Sequence, residues 1–187
     1  LDAIDGGKMA VNKDVYQESD GGKWVRYDAN GHMVKGENCK DNAWYRFDEV
    51  TGAMVKGWYT TNDRNGKQIY YYYNENNGKM VKGEATIGGK ACMFDVSTGV
   101  AYDCAWYTKN GGKYWYEKGV RQGTEGRGKE IFDSASNAWY WLDAVDAGKM
   151  AVNKDVYQES SGGKWVRYDA NGRMVKGWNT KDGKRYY

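Results

Sequence analysis

The sequence predicts an all-β chain, a solenoid of about eight stacked β-hairpin repeats covering residues 1–187. Three observations carry this expectation. The stretch from Leu1 to Asn38 returns as Leu142 to Asn179 with five substitutions: Ile4/Val145, Gly6/Ala147, Asp20/Ser161, His32/Arg173 and Glu37/Trp178. Duplication this close marks a modular array. Inside it runs a shorter pattern of an aromatic cluster, an acidic or Asn turn, Gly-x-Met and Val-Lys-Gly. Third, the mean hydropathy is −0.93, while the chain carries 17 Tyr, 9 Trp, 3 Phe and no Pro. Aliphatic residues are too sparse for a conventional core, so the rings must serve as both core and surface. Their abundance and the absence of Pro argue against disorder.

The short units follow in order. Trp24-Val25-Arg26-Tyr27 leads to Gly31-His32-Met33-Val34-Lys35-Gly36, Trp44-Tyr45-Arg46-Phe47 to Gly52-Ala53-Met54-Val55-Lys56-Gly57, and Tyr70-Tyr71-Tyr72-Tyr73 to Gly78-Lys79-Met80-Val81-Lys82-Gly83. A divergent stretch, 85–137, keeps weaker versions at Cys92-Met93-Phe94 and Tyr114-Trp115-Tyr116. Trp139-Tyr140-Trp141-Leu142 and Trp165-Val166-Arg167-Tyr168 then restore the pattern. Met9, Met33, Met54, Met80, Ala101, Arg121, Met150 and Met174 mark equivalent places. Each unit reads as two short strands around a Gly/Asn/Asp turn, with the Gly-containing joins at Gly21, Gly88, Gly111 and Gly162 separating units. Alternation puts Tyr45 and Phe47 on a packed face and Trp44 and Arg46 on a displayed one. A lone hairpin is marginal in water, so the units must stack. Because the second copy is preceded by Ala138-Trp139-Tyr140-Trp141 and the first begins at Leu1, the chain is expected to start and end inside units of a larger protein.

Charge and chemistry narrow the function. The net charge of +3 comes from interspersed signs, so neither a nucleic-acid stripe nor a charged tail is expected. No run approaches the length of a membrane helix, so no membrane insertion is expected. With a single His there is no nucleophile–His pair to build, and His32, which is Arg173 in the other copy, reads as a solvated turn residue. Irregularly spaced Cys39, Cys92 and Cys104 form no metal or redox motif, so no metal or cofactor is expected. A hairpin turning at Ser97-Thr98-Gly99 would set Cys92 across from Cys104 and allow a disulfide, leaving Cys39 unpaired. Asp28, Asp48, Asp95 and Asp169 recur as turn residues rather than converging in a cleft, so the chain is expected not to be an enzyme.

The recurring aromatic cluster, Asp/Asn-Gly-x-Met and Lys-Gly-Trp resemble the cell-wall-binding, or choline-binding-type, repeats of Gram-positive surface proteins, related to the glucan-binding and clostridial toxin repeats. The resemblance implies a hairpin solenoid, secretion to the extracellular or cell-surface side, and a non-catalytic anchoring or adhesive role. Tyr114-Trp115-Tyr116-Glu117-Lys118-Gly119-Val120-Arg121-Gln122-Gly123 is similar to units of large gut Firmicutes surface proteins. That likeness implies immunoglobulin as an alternative partner.

In the choline-binding members, the resemblance implies a cage of two exposed hairpin aromatics and the Trp of Gly-Trp, which attracts a quaternary ammonium by cation–π interaction. Mapped here, Trp survives at Trp58 and Trp178 and loosely at Trp106, whereas Glu37 and Glu84 replace it elsewhere. Arg26, Arg46 and Arg167 take the place of the second exposed aromatic beside Trp24, Trp44 and Trp165, which disfavours choline there. The best remaining cage is Trp58 with Tyr70 and Tyr72, followed by Trp106 with Tyr114 and Tyr116. The Trp/Arg pairs suit a wall glycan, a teichoic-acid-type polymer or a host protein, and choline is the least favoured ligand, with weak or no affinity expected across most of the array.

Overall fold

The computed structural model describes residues 6–19, 21–159 and 162–186. Ile4, Asp20 and Ser161 of the substituted pairs, and the two chain ends at Leu1 and Tyr187, lie outside the described residues. Those residues contain β-structure, a single 3-10 turn at Ala144–Asp146 and no α-helix. In chain order, β1 (Lys13–Gln17) pairs with β2 (Lys23–Tyr27), β3 (Gly36–Lys40) with β4 (Ala43–Phe47), β5 (Gly57–Asn62) with β6 (Gln68–Tyr73), and β7 (Gly83–Ile87) with β8 (Lys90–Phe94). Next come β9 (Ala105–Lys109) with β10 (Gly112–Glu117), the short β11 (Val120–Arg121), β12 (Gly128–Asp133) with β13 (Ala138–Asp143), and the short β14 (Lys149–Met150). β15 (Lys154–Gln158) with β16 (Lys164–Tyr168), and β17 (Asn179–Lys181) with β18 (Lys184–Tyr186), complete eight hairpins. Two compact units result: Leu1–Ala85 with Phe94–Ala101, and Thr86–Met93 with Tyr102–Tyr187.

The turn assignment inverts the sequence expectation. Asp41-Asn42, Gly88-Gly89, Asn110-Gly111 and Asp182-Gly183 have positive φ at both positions, the backbone that closes a two-residue hairpin with matching strand twist. Hairpin turns therefore lie before each aromatic cluster, where joins were expected. The Asp/Asn-Gly segments after the clusters are the linkers. In these, Asp48 Oδ1 accepts from the N–H groups of Val50 and Thr51, and Asp95 Oδ1 from those of Ser97 and Thr98. Asp28 Oδ1 accepts from Asn30 and His32, and His32 is exposed in that loop as expected.

The Met-equivalent positions have one structural job. Met33, Met54, Met80, Ala101 and Met174 bridge to Tyr27, Phe47, Tyr73, Phe94 and Tyr168, the last residue of each aromatic strand. Arg121 and Met150 pair with Tyr116 and Leu142 in the same way. The linkers at Met54, Met80, Ala101 and Met174 also reach the preceding hairpin. Within the first unit Met54 N–H donates to the Trp24 carbonyl at 2.7 Å, and Met80 N–H to that of Trp44 at 2.7 Å. Within the second unit Met174 N–H donates to the Trp139 carbonyl at 2.8 Å. The Gly of Gly-x-Met makes this approach possible: at Gly52, φ is 67° and a Cβ would overlap Met33 Sδ, a backbone and a clearance that only glycine supplies.

In the first unit Val25, Tyr45, Phe47, Tyr72, Tyr73 and Phe94 are buried, in agreement with the Tyr45/Phe47 packing face. In the second, Trp115, Ile131, Tyr140, Leu142 and Met150 form one cluster, and Trp141, Ala151, Val156, Val166 and Tyr168 another. Tyr73 is fully buried at the position held by Phe47 and Phe94 in neighbouring hairpins, and its hydroxyl has no hydrogen-bond partner among the described residues. Tyr73→Phe is therefore expected to raise the free energy of unfolding by about 1 kcal/mol, because it removes an unsatisfied buried group. Burial also pushes the Tyr73 phenol above its ordinary value of 10.0. The stability tied to its neutral form is thus complete below about pH 10 and lost as the pH rises, because the unfolded chain ionises first. Denaturant unfolding at neutral and alkaline pH should show the variant gaining most in alkali.

The expected Cys92–Cys104 bridge is corrected: no disulfide joins the two cysteines, and Cys39 forms none either. Phe94 bridges to Ala101, but the pairing does not extend as far as the two cysteines. Met93 N–H instead donates to the Gly119 carbonyl, and Val120 of β11 stands opposite Cys92. The inserted β11 takes the strand edge that Cys104 would need.

Candidate functional site

One register position recurs in the hairpins, directly beside the pair that contains the terminal aromatic. Registers Lys13↔Tyr27, Gly36↔Phe47 and Lys154↔Tyr168 place Asp14 opposite Arg26, Glu37 opposite Arg46 and Asp155 opposite Arg167. In β5–β6 the same position holds Trp58 opposite Tyr72, and in β9–β10 it holds Trp106 opposite Trp115. The position therefore alternates between a carboxylate–guanidinium pair and an aromatic pair. Side chains opposite one another across antiparallel strands are close enough for either arrangement.

The β5–β6 version forms an aromatic slot. Trp58, 43% exposed, lies 5.3 Å from Tyr72 in an edge-to-face contact and 5.7 Å from Phe94, its ring tilted by 33°. The Tyr72 hydroxyl donates to Glu75 Oε1 at 3.1 Å, which brings a carboxylate to the rings. Tyr70 lies on the same strand face as Tyr72, two register pairs nearer the hairpin tip opposite Thr60. Its hydroxyl donates to Gln68 Oε1 at 2.6 Å. Of the expected cage of Trp58, Tyr70 and Tyr72, the Trp58–Tyr72 ring contact is present, and the buried Phe94 supplies a further ring contact that the sequence does not reveal. An exposed indole, held by two buried rings and with a carboxylate nearby, can attract an alkylammonium.

Where arginine holds the position, its own guanidinium occupies the aromatic surface. Arg26 is 4% exposed. Its Nε and Nη2 donate to Asp14 Oδ1 and Oδ2 at 2.6 and 2.9 Å, and Nη1 donates to Asn38 Oδ1 at 2.9 Å. Its Cζ lies 4.2 Å from the Tyr45 ring centre and 5.1 Å from that of Phe47. The hydrogen-bonded guanidinium holds the Asp14 carboxyl below the usual range, and Asp14 in turn raises Arg26. Arg46 repeats the arrangement, with Cζ 4.6 Å from the Tyr59 ring centre, Nη1 3.6 Å from Glu37 Oε1 and Nη2 3.5 Å from Glu49 Oε1. Arg167 pairs with Asp155. The expectation that Trp and Arg together form one displayed surface is corrected. Trp24, Trp44 and Trp165 are exposed, and Trp24 and Trp165 pack on Tyr16 and Tyr157. Arg26 is buried, and the guanidinium of Arg46 is laid over Tyr59.

The second expected cage does not assemble. The register Trp106↔Trp115 places Tyr114 and Tyr116 opposite Tyr107 and Ala105, on the other face of the hairpin. Trp106 packs at 4.9 Å on Trp115 and 5.1 Å on Tyr140, and its Nε1–H donates to Asp133 Oδ2. Arg121 lies over Tyr114 at 4.4 Å. Trp106 is therefore part of the packing of the second unit.

Asp14, Asp155, Tyr59, Glu75 and Phe94 were missed in the sequence. The signal for the acids was their register opposite each Arg, which becomes visible only when the hairpin turn is placed before the aromatic cluster.

Residues 17–58 match the family model of the choline-binding repeat, so this stretch carries repeat sequence of the choline-binding type. It is 31% identical over 158 residues to glucosyltransferase-S of Streptococcus downei, covering 83% of this chain and 9% of that protein. Among solved structures it resembles choline binding protein F from Streptococcus pneumoniae, with a TM-score of 0.61 at 22% identity over 88% of this chain and 48% of that one. It also resembles CbpJ from the same species, with a TM-score of 0.67 at 20% identity over 96% and 63%. The modular autolysin LytC of Streptococcus pneumoniae, solved with a synthetic peptidoglycan ligand, matches with a TM-score of 0.56 at 22% identity over 97% and 38%. The chain thus spans a tenth or less of the glucosyltransferase and about half of choline binding protein F.

Proposed function

We propose that this chain is a non-catalytic binding module of a bacterial surface or secreted protein. In this reading its hairpins stack as a solenoid and hold a teichoic-acid-type wall polymer through a quaternary ammonium seated against the exposed Trp58 ring, which the buried Tyr72 and Phe94 hold in place from behind. The observation that carries the reading is the exchange at one register position: Asp14–Arg26 and Glu37–Arg46 give way to Trp58–Tyr72. The exposed Trp58 ring replaces part of an alkylammonium's hydration shell, and the Glu75 carboxylate beside Tyr72 adds attraction. The linker hydrogen bonds from Met54 to Trp24 and from Met80 to Trp44 support serial stacking in the first unit. The turn roles of Asp28, Asp48 and Asp95 support a binding rather than a catalytic role. The likeness to choline binding protein F and to the wall-directed LytC supports the ligand class.

Retention on choline-bearing teichoic acid, on choline-free wall glycan and on immunoglobulin tests the proposal. Trp58→Ala should weaken retention on the choline-bearing polymer about tenfold or more, whereas Trp24→Ala should leave it unchanged. Wild-type retention on glycan or immunoglobulin alone, or retention unaffected by Trp58→Ala, would overturn the reading.

A further inference from the structure

We propose that Arg46 is a resident cation that plugs a second slot of the same kind, and that the Glu37/Arg46 pair is the specificity determinant excluding an external cation there. The two places match in their surroundings. Both have a carboxylate in the same linker position, Glu49 after Asp48 and Glu75 after Asn74. In the β5–β6 slot that carboxylate accepts from the Tyr72 hydroxyl; in β3–β4 it meets the Arg46 guanidinium at 3.5 Å. Tyr72 and Arg46 are register equivalents, each opposite the residue that follows Gly57 or Gly36.

The guanidinium of Arg46 lies 4.6 Å from the centre of the Tyr59 ring, inside the cation–π range, and Glu37 flanks it at 3.6 Å. A ring face and two carboxylates therefore surround one positive charge supplied by the chain itself. Truncating that side chain leaves the ring and both acids, which is a receptor for a small organic cation. Arg26 is held in a similar way but is more deeply buried and bound bidentately to Asp14. Arg46, with its side chain 19% exposed, is the plug that can be drawn with less harm to the fold.

The test is chemical rescue. Arg46→Ala and the more conservative Arg46→Gln should melt lower than wild type. Millimolar ethylguanidinium should restore part of the loss saturably, beyond matched NaCl, and should bind either variant about tenfold more tightly than wild type. Rescue absent from both variants, or equal in wild type, would overturn the proposal. A second arm rests on the reading of the Trp58 slot. Glu37→Trp combined with Arg46→Tyr, in the folded protein, should add one choline equivalent to the wild-type stoichiometry, and a folded double variant that adds none would contradict the exchange. The two readings fail separately: ethylguanidinium rescue without wild-type choline binding would keep the plug and discard the ligand proposed for Trp58.

Discussion

Phe47→Ala will destabilise the protein by about 3–5 kcal/mol, the cost of emptying a buried aromatic site that cannot fully collapse. The ring is fully buried, ends β4, bridges to Met54 and lies beneath the Arg26 guanidinium. Its removal therefore loosens one hairpin, the following linker and the preceding ion pair together. Trp44→Ala, three residues earlier on the displayed face of the same strand, should cost much less because that ring is exposed. Denaturant unfolding of the two variants checks the face assignment. Equal losses, or a larger loss at Trp44, would mean that it is wrong.

Arg26→Ala and Arg167→Ala should differ although they fall in duplicated sequence. The Arg26 side chain is 5% exposed and that of Arg167 is 25% exposed. Truncating Arg26 strands Asp14 and uncovers Tyr45, and breaking a buried pair of this sort costs several kcal/mol. Because Asp14 keeps 29% exposure, water offsets part of that, and about 2–3 kcal/mol is expected. Arg167→Ala should cost about 1 kcal/mol, nearer the range for half-exposed pairs. The pair also gives the wild type a defined acid response. The guanidinium holds Asp14 below its ordinary value of 3.8, so its stabilisation is complete above about pH 4 and fades as the pH falls through the depressed value. Arg26→Ala should abolish that component, which unfolding measured from pH 7 down to pH 3 would reveal.

Much of this architecture was legible because repetition multiplies weak signals. The all-β class, the hairpin number, the Tyr45/Phe47 face and the equivalence of Met33, Met54 and Met80 all follow from pattern alone. The hairpin turn was misplaced because Asp-Ala-Asn-Gly and Gly-Gly-Lys are both good turn sequences. Only the backbone distinguishes the paired positive φ of Asp41-Asn42 from the side-chain-capped loop at Asp48. That error propagated: it hid the opposition of Asp14 to Arg26 and made Cys92 and Cys104 look like partners. The Trp58 slot was half legible. Tyr72 lies on the opposite strand of its own hairpin, whereas Phe94 arrives from β8, and contact between separate hairpins has no local sequence signature.

The central claim is that Trp58, held by the buried Tyr72 and Phe94, offers its exposed ring to a quaternary ammonium while arginines fill the equivalent places. Titrating choline into the wild-type protein and following the indole N–H resonances tests it most directly. A saturable shift of Trp58, absent in Tyr72→Ala and not shared by Trp24, Trp44 or Trp165, is the predicted result. No response at Trp58, or equal responses at Trp24 and Trp44, would contradict the account.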